Sequence, residues 1–175
     1  MLAVGSDDGS VSGGKVLIYE WSDHTQEWLL IKKIAQVMDP VNDIAFAPNV
    51  GLSYHMLAIA STDLFIFHLR LNEEEDVTSV VPITNNNGYS NGTQLNLNQV
   101  ARFSDHSCNV LRVAWNDFGD LLISNGDDGQ IFVWMSDYQQ KWQNAGLLRQ
   151  GSSVKSGYSL QSSGMTLDTT AAPYY

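Results

Sequence analysis

The sequence predicts an all-β chain built from about three repeated units, each of four antiparallel strands. Three observations carry this reading. A short apolar run, a turn and an alternating run ending on an aromatic residue recur as LAVGSDDG…KVLIYEW (2–21), MLAIASTDLFIFHL (56–69) and LLISNGDDGQIFVWM (121–135). Matched aromatics close each copy at Tyr19, Phe67 and Trp134. No long window places apolar residues at helical spacing.

Taken in order, the first unit opens directly on LAVGS, so its inner strand is missing, and its outer strand falls at 28–35. The second unit gains an inner strand, VNDIAFAPN (41–49), and an outer one at 94–103. The third matches it with VLRVAWNDFG (111–119) and 142–149, so that Ile44, Ala45 and Phe46 align with Val113, Ala114 and Trp115. Asp-Asp-Gly between two alternating runs is a hairpin signal, because Asp and Gly accept the positive φ of a tight turn. FAPNVG (46–51) and WNDFGD (115–120) are the equivalent turns after the inner strands. The central strands are almost continuously apolar, as expected of strands covered on both faces. These units run over about 1–36, 37–103 and 104–150, with an acidic, then Asn/Gly-rich insertion at 72–93 that reads as a solvated loop or a disordered insertion. The Ser/Gly/Thr-rich stretch 151–175 reads as a disordered tail.

Composition narrows the function. Nineteen acidic against nine basic residues leave a net charge of -10, which argues against nucleic acid as a partner, since counterion release needs clustered Lys and Arg. Cys108 is the single cysteine, which excludes an internal disulfide and a cysteine zinc site. The N-terminus has no basic region followed by an apolar one, and no apolar run approaches the length that spans a bilayer, so no membrane insertion is expected. Of the four histidines, His24 sits in a polar turn, His55 at a strand start and His68 on one strand face. None has metal-ligand spacing, and GSVSGG (9–14) lacks the Lys-Ser/Thr of a phosphate loop. Neither metal nor cofactor nor enzymatic activity is expected. Trp115 and Trp134 read as core; Trp21, Trp28 and Trp142, near strand ends, read as partly exposed and available as interface anchors.

A four-stranded unit with a Gly-Asp-Asp-Gly turn and a terminal Trp resembles a WD-repeat blade. In the third unit His106 stands at the family's Gly-His position, with Asp105 in place of the glycine. Ser124, Asp128 and Trp134 stand at the other positions of the family's hydrogen-bond tetrad. A Ser/His/Asp hydrolytic triad uses the same residue types, but Asp128 lies in a turn and no nucleophile elbow surrounds Ser124. The motifs LAVGSDDG, DPVNDIAFAPN, SYHMLAIAS, WNDFGDLLISNGDDGQIFVW and YQQKWQNAGLL together resemble the C-terminal half of SEH-type nucleoporins, relatives of the SEC-thirteen subunit of the COPII vesicle coat. The connection APNVGLSYHMLAIAS (47–61) favours the nucleoporin branch over the vesicle-coat one, which stays the alternative.

The resemblance implies a six-bladed β-propeller, of which this chain would hold about three blades. It implies a structural scaffold of the nuclear pore coat, serving nucleocytoplasmic protein and mRNA transport, and a second role in amino-acid signalling to the TOR pathway at the lysosomal surface. It further implies a helical scaffold nucleoporin, or related coat protein, that donates an extra blade to the propeller edge, and other coat subunits as partners. Contacts of that kind are expected within 109–149. A fragment of a propeller exposes its outer blade faces, so the chain by itself is expected to be unstable or to self-associate.

Overall fold

The computed structural model describes residues 1–9, 13–49, 51–72 and 94–148. The expected insertion, from residue 73 on, and the expected tail lie outside the described residues. Among those described there is no helix, and so none long and apolar enough to cross a membrane. In the described residues eleven strands form three antiparallel sheets. The first holds β1 (Leu2–Gly5), β2 (Val16–Ser22) and β3 (Glu27–Ile34). The second holds β4 (Asp43–Phe46), β5 (His55–Ala60), β6 (Leu64–Asn72) and β7 (Gln94–Phe103). β8 (Val110–Trp115), β9 (Leu121–Gly126), β10 (Ile131–Ser136) and β11 (Trp142–Leu148) make the third. Each sheet is a meander in chain order, which is the topology of WD-repeat propeller blades; we call them blades 1, 2 and 3.

The repeat is sharper in the hydrogen-bond register than in the letters. Tyr19, Phe67 and Trp134 each stand opposite a leucine on the preceding strand: Leu2, Leu57 and Leu122. Each aromatic also marks a β-bulge against the outer strand, the ladder slipping between Ile18 and Tyr19, Ile66 and Phe67, and Val133 and Trp134. The extra residue is Ile31, Val100 or Ala145. A bulge adds local twist, so each blade turns at the same place along its length.

Strand alternation decides what packs against what. In blade 2, Leu57, Ile59, Phe65, Phe67 and Leu69 point one way and pack on Val16, Ile18 and Ile34 of blade 1. Ala58, Ala60, Leu64 and Ile66 point the other way, onto Val113, Leu122, Phe132 and Trp134 of blade 3. The chain therefore has two cores, one between each pair of blades, and β5 is buried on both faces from Met56 on. Where no neighbour covers a face, the equivalent positions are open. Leu2 is 42% exposed, whereas Leu57 and Leu122 at the same repeat position are 0% exposed. On the outward face of blade 3, Ile123 and Ile131 are exposed, whereas their counterparts Ala58 and Leu64 are buried.

Two expectations are corrected. Trp142 is only 6% exposed: although it opens β11, its ring meets the edge of Trp115 at 5.4 Å and both join the core between blades 2 and 3. The Asp-Asp-Gly turns also differ from the expected geometry. In blade 3 the positive φ falls on Gly129 alone, at 69°, and not on either aspartate. In blade 1 Gly5 pairs with Val16, Ser6 N–H bonds to the Lys15 carbonyl, and Gly9 has no positive φ, so that connection is not a tight turn.

The two leucines at one repeat position give a direct test. Leu57→Ala should cost about 2–5 kcal/mol in urea denaturation, the usual range for a cavity in a closed core. Leu2→Ala, on an open face, should cost less than about 1 kcal/mol.

Candidate functional site

The structure brings His106, Ser124, Asp128 and Trp134 together in blade 3. Ser124 lies on β9 and Trp134 on β10, both pointing toward blade 2; His106 comes from the loop after β7, and Asp128 from the β9–β10 turn. The Trp134 indole Nε1 donates to Ser124 Oγ at 2.8 Å, and Ser124 Oγ lies 2.9 Å from His106 Nε2. His106 Nδ1 is 3.4 Å from Asp128 Oδ1. Asp128 also accepts from the backbone N–H of Ser107 and of Gln130, at 3.1 and 3.0 Å. The proton pattern that satisfies every member runs one way: indole to hydroxyl, hydroxyl to Nε2, and Nδ1–H to carboxylate.

Burial decides what this chain of bonds can do. Trp134 and Ser124 are 0% and 1% exposed, and the Ser124 hydroxyl is enclosed between the indole and the imidazole. A nucleophile must reach a substrate, and this one cannot. The bonds instead tie the 104–109 loop to the hairpin of the next strands. Burial works to raise the Asp128 pKa, but the N–H groups of Gln130 and Ser107 and the His106 ring outweigh it and hold the carboxyl below its ordinary value of 3.8. Gly126 is required by the same cluster. A Cβ there would collide with His106 Nδ1 and stand 2.7 Å from Asp128 Oδ1.

Blade 2 fills the equivalent space with hydrocarbon. By register, Ile59 stands where Ser124 stands, and Phe67 where Trp134 stands, both fully buried. Its β5–β6 turn is shorter, Ala60 pairing directly with Leu64, so it has no counterpart of Asp128.

A second set of polar contacts joins blades 2 and 3 along their inner strands. Asp43 Oδ2 accepts from the Val113 N–H at 3.0 Å, the Trp115 indole donates to the Ala45 carbonyl at 3.0 Å, and Asn42 Nδ2 donates to the Val110 carbonyl at 2.7 Å. Sequence reasoning aligned these strands but passed over Asn42 and Asp43. Two polar residues at the start of an otherwise apolar strand were the available signal.

The remaining candidates scatter. His24 is exposed in the β2–β3 turn, His55 opens β5, and His68 lies midway along β6. Among the described residues no three His, Cys, Asp or Glu side chains are grouped as a metal site. Trp21 and Trp28 pair across β2 and β3 at 5.5 Å, both more than two-fifths exposed.

Residues 97–135 match the family of the WD domain, G-beta repeat. That span begins in β7 of blade 2 and ends in β10 of blade 3, so the sequence repeat straddles two sheets and staples them together. The chain is 40% identical over 158 residues to nucleoporin SEH1 of Osmerus mordax, covering 90% of this chain and 40% of the relative. It is 40% identical over 162 residues to nucleoporin SEH1 of Homo sapiens, covering 92% and 42%. With nucleoporin seh1 of Drosophila melanogaster it shares 38% over 149 residues, covering 85% and 38%. The chain is similar to these SEH1 nucleoporins along most of its own length. It spans about 40% of the length of these curated relatives.

Ser124→Ala leaves the Trp134 N–H and a buried His106 nitrogen without a partner, and should cost about 1–3 kcal/mol in thermal or urea unfolding. Gly126→Ala should destabilise comparably, because the atoms it meets belong to the tetrad. A depressed Asp128 pKa contributes stability that is full above 3.8 and lost as pH falls through the lower folded value. Unfolding measured from pH 7 down to about pH 2 should therefore show stability falling below about pH 4, with a shallower fall in Asp128→Asn.

Proposed function

We propose that this chain is a scaffold and protein-interaction element of a nuclear-pore coat. One structural observation carries the reading. The inward faces of all three blades are covered by one another, whereas the outward faces of blades 1 and 3 present rows of apolar side chains. Leu2, Val4, Trp21, Trp28 and Leu30 lie on the first; Ile123, Ile131 and Met135 lie on the second. Faces of this kind mark protein-interaction surfaces, and the similarity to SEH1 nucleoporins supplies the assembly in which they would be covered.

The finer parts of the proposal follow from that similarity. The covering protein would be the rest of a propeller together with a helical scaffold nucleoporin that donates a further blade by strand addition. Other coat subunits would complete the assembly at the nuclear envelope. A second role at the lysosomal surface, in amino-acid signalling to TOR, is proposed on the same basis. The vesicle-coat alternative draws no support from the relatives reported above, all of them nucleoporins.

Two measurements test this. Affinity capture of the tagged chain from cells should recover nuclear-pore coat nucleoporins, and recovery of vesicle-coat subunits in their place would overturn the proposal. In light scattering the chain should self-associate through its open faces, and Trp28→Asp with Leu30→Asp should reduce that association. A chain that stays a compact monomer at all concentrations would contradict it.

A further inference from the structure

Two open clefts flank β7, the outermost strand of blade 2. One, of about 460 Å³, lies toward blade 1 and is lined by Lys32 and Lys33 of β3 with Leu95 and Leu97. The other, of about 410 Å³, lies toward blade 3 and is lined by Tyr54, His68, Arg70 and Asn98. Asn96 and Leu97 line both, so the clefts meet across the strand. This geometry follows from alternation along β7: Leu95 and Leu97 pack with the core between blades 1 and 2, while Asn96 and Asn98, paired with Arg70 and His68, face the opposite way.

The charge here is unusual for the molecule. Three of its nine basic residues line these clefts, in a chain of net charge -10. Two of the other basic residues are matched: Arg102 with Asp63 at 2.5 Å, and Arg112 with Asp43 at 4.0 Å. Among the described residues Lys32, Lys33 and Arg70 form no ion pair. His68 adds an independent sign. Its Nε2 is buried and has no hydrogen-bond partner among the described residues. Its ring is held in place, stacked on Tyr54 at 4.3 Å, and the Tyr54 hydroxyl in turn bonds to Gln140. Burial, and then the charge of Arg70, push the His68 pKa down from 6.5, so the ring is neutral near pH 7 and the positive charge of that cleft resides on Arg70.

We propose that the outer edge of β7 is a docking site for an extended acidic peptide segment of a partner protein. Its carboxylates would sit against Lys32 on one side of the strand and against Arg70 on the other, with an apolar side chain over Leu97 and Lys33 adding positive charge nearby. So few cations suit a short run of carboxylates. They do not suit a nucleic acid, whose dense phosphates need many more contacts and would meet the repulsion of the whole acidic chain. The site is separate from the open faces of blades 1 and 3 and stands or falls independently of the coat proposal.

Fluorescence anisotropy of the full chain tests it, using a labelled peptide of alternating Glu and Leu, the matching Lys-Leu peptide, and a short oligothymidine. The acidic peptide should bind at low salt and weaken as salt rises. Arg70→Glu and the pair Lys32→Glu, Lys33→Glu should each weaken it by about fivefold or more, and each should gain binding of the Lys-Leu peptide. Arg112→Gln, on the inner strand β8 and outside both clefts, should leave it unchanged. Should the charge reversals fail to fold by circular dichroism, Arg70→Gln and Lys32→Gln are read instead, with an expected loss of about twofold each. The proposal is overturned if the wild-type chain does not bind the acidic peptide at low salt. Oligothymidine binding as tightly as the peptide, or Arg112→Gln weakening binding as much as the cleft variants, would overturn it equally.

Discussion

A β-sheet with two apolar faces and no helix to cover either one can be buried only by other sheets, and that constraint organises this protein. It explains why β5 and β6 alternate between two cores rather than between core and solvent. It explains why Leu57 is enclosed while Leu2, at the same repeat position, stands 42% exposed. Stacking is the sole source of burial among the described residues, so each blade's stability is a property of its neighbours.

Packing sheets face to face leaves polar groups to be settled at two places, the loops that cross between blades and the inner strands that meet along the joint. Blade 3 settles the first with a run of hydrogen bonds from Trp134 through Ser124 and His106 to Asp128. Blade 2 fills the same space with Ile59 and Phe67 and a shorter turn. Both solutions leave nothing buried and unpaired at that point, and a partly satisfied version would be worse than either. The inner-strand joint is polar for a related reason: Asp43 supplies the acceptor that the Val113 N–H lacks within its own ladder.

Function follows from what the stack leaves uncovered. The end faces of blades 1 and 3 stay open, and the basic clefts beside β7 lie on the rim, where among the described residues the outermost strand has no neighbour on its outer side. On the proposed reading, a molecule of this construction acts by being held and by holding. The apolar faces offer area, and the rim offers charge.

The repeat and the all-β class were legible in the letters, because strand alternation and turn residues act over a few positions along the chain; the four side chains of blade 3 were singled out only through the resemblance to WD repeats. The leucine opposite each aromatic and the bulge beside it were not, since register depends on the facing strand. Trp142 illustrates the difference: its position at the end of a strand suggests exposure, yet a tryptophan from another strand, Trp115, encloses it. The meeting of Lys32, Lys33 and Arg70 around one strand was decided wholly by tertiary structure. They belong to two different blades, and only the stacking of those blades brings their charges onto one rim.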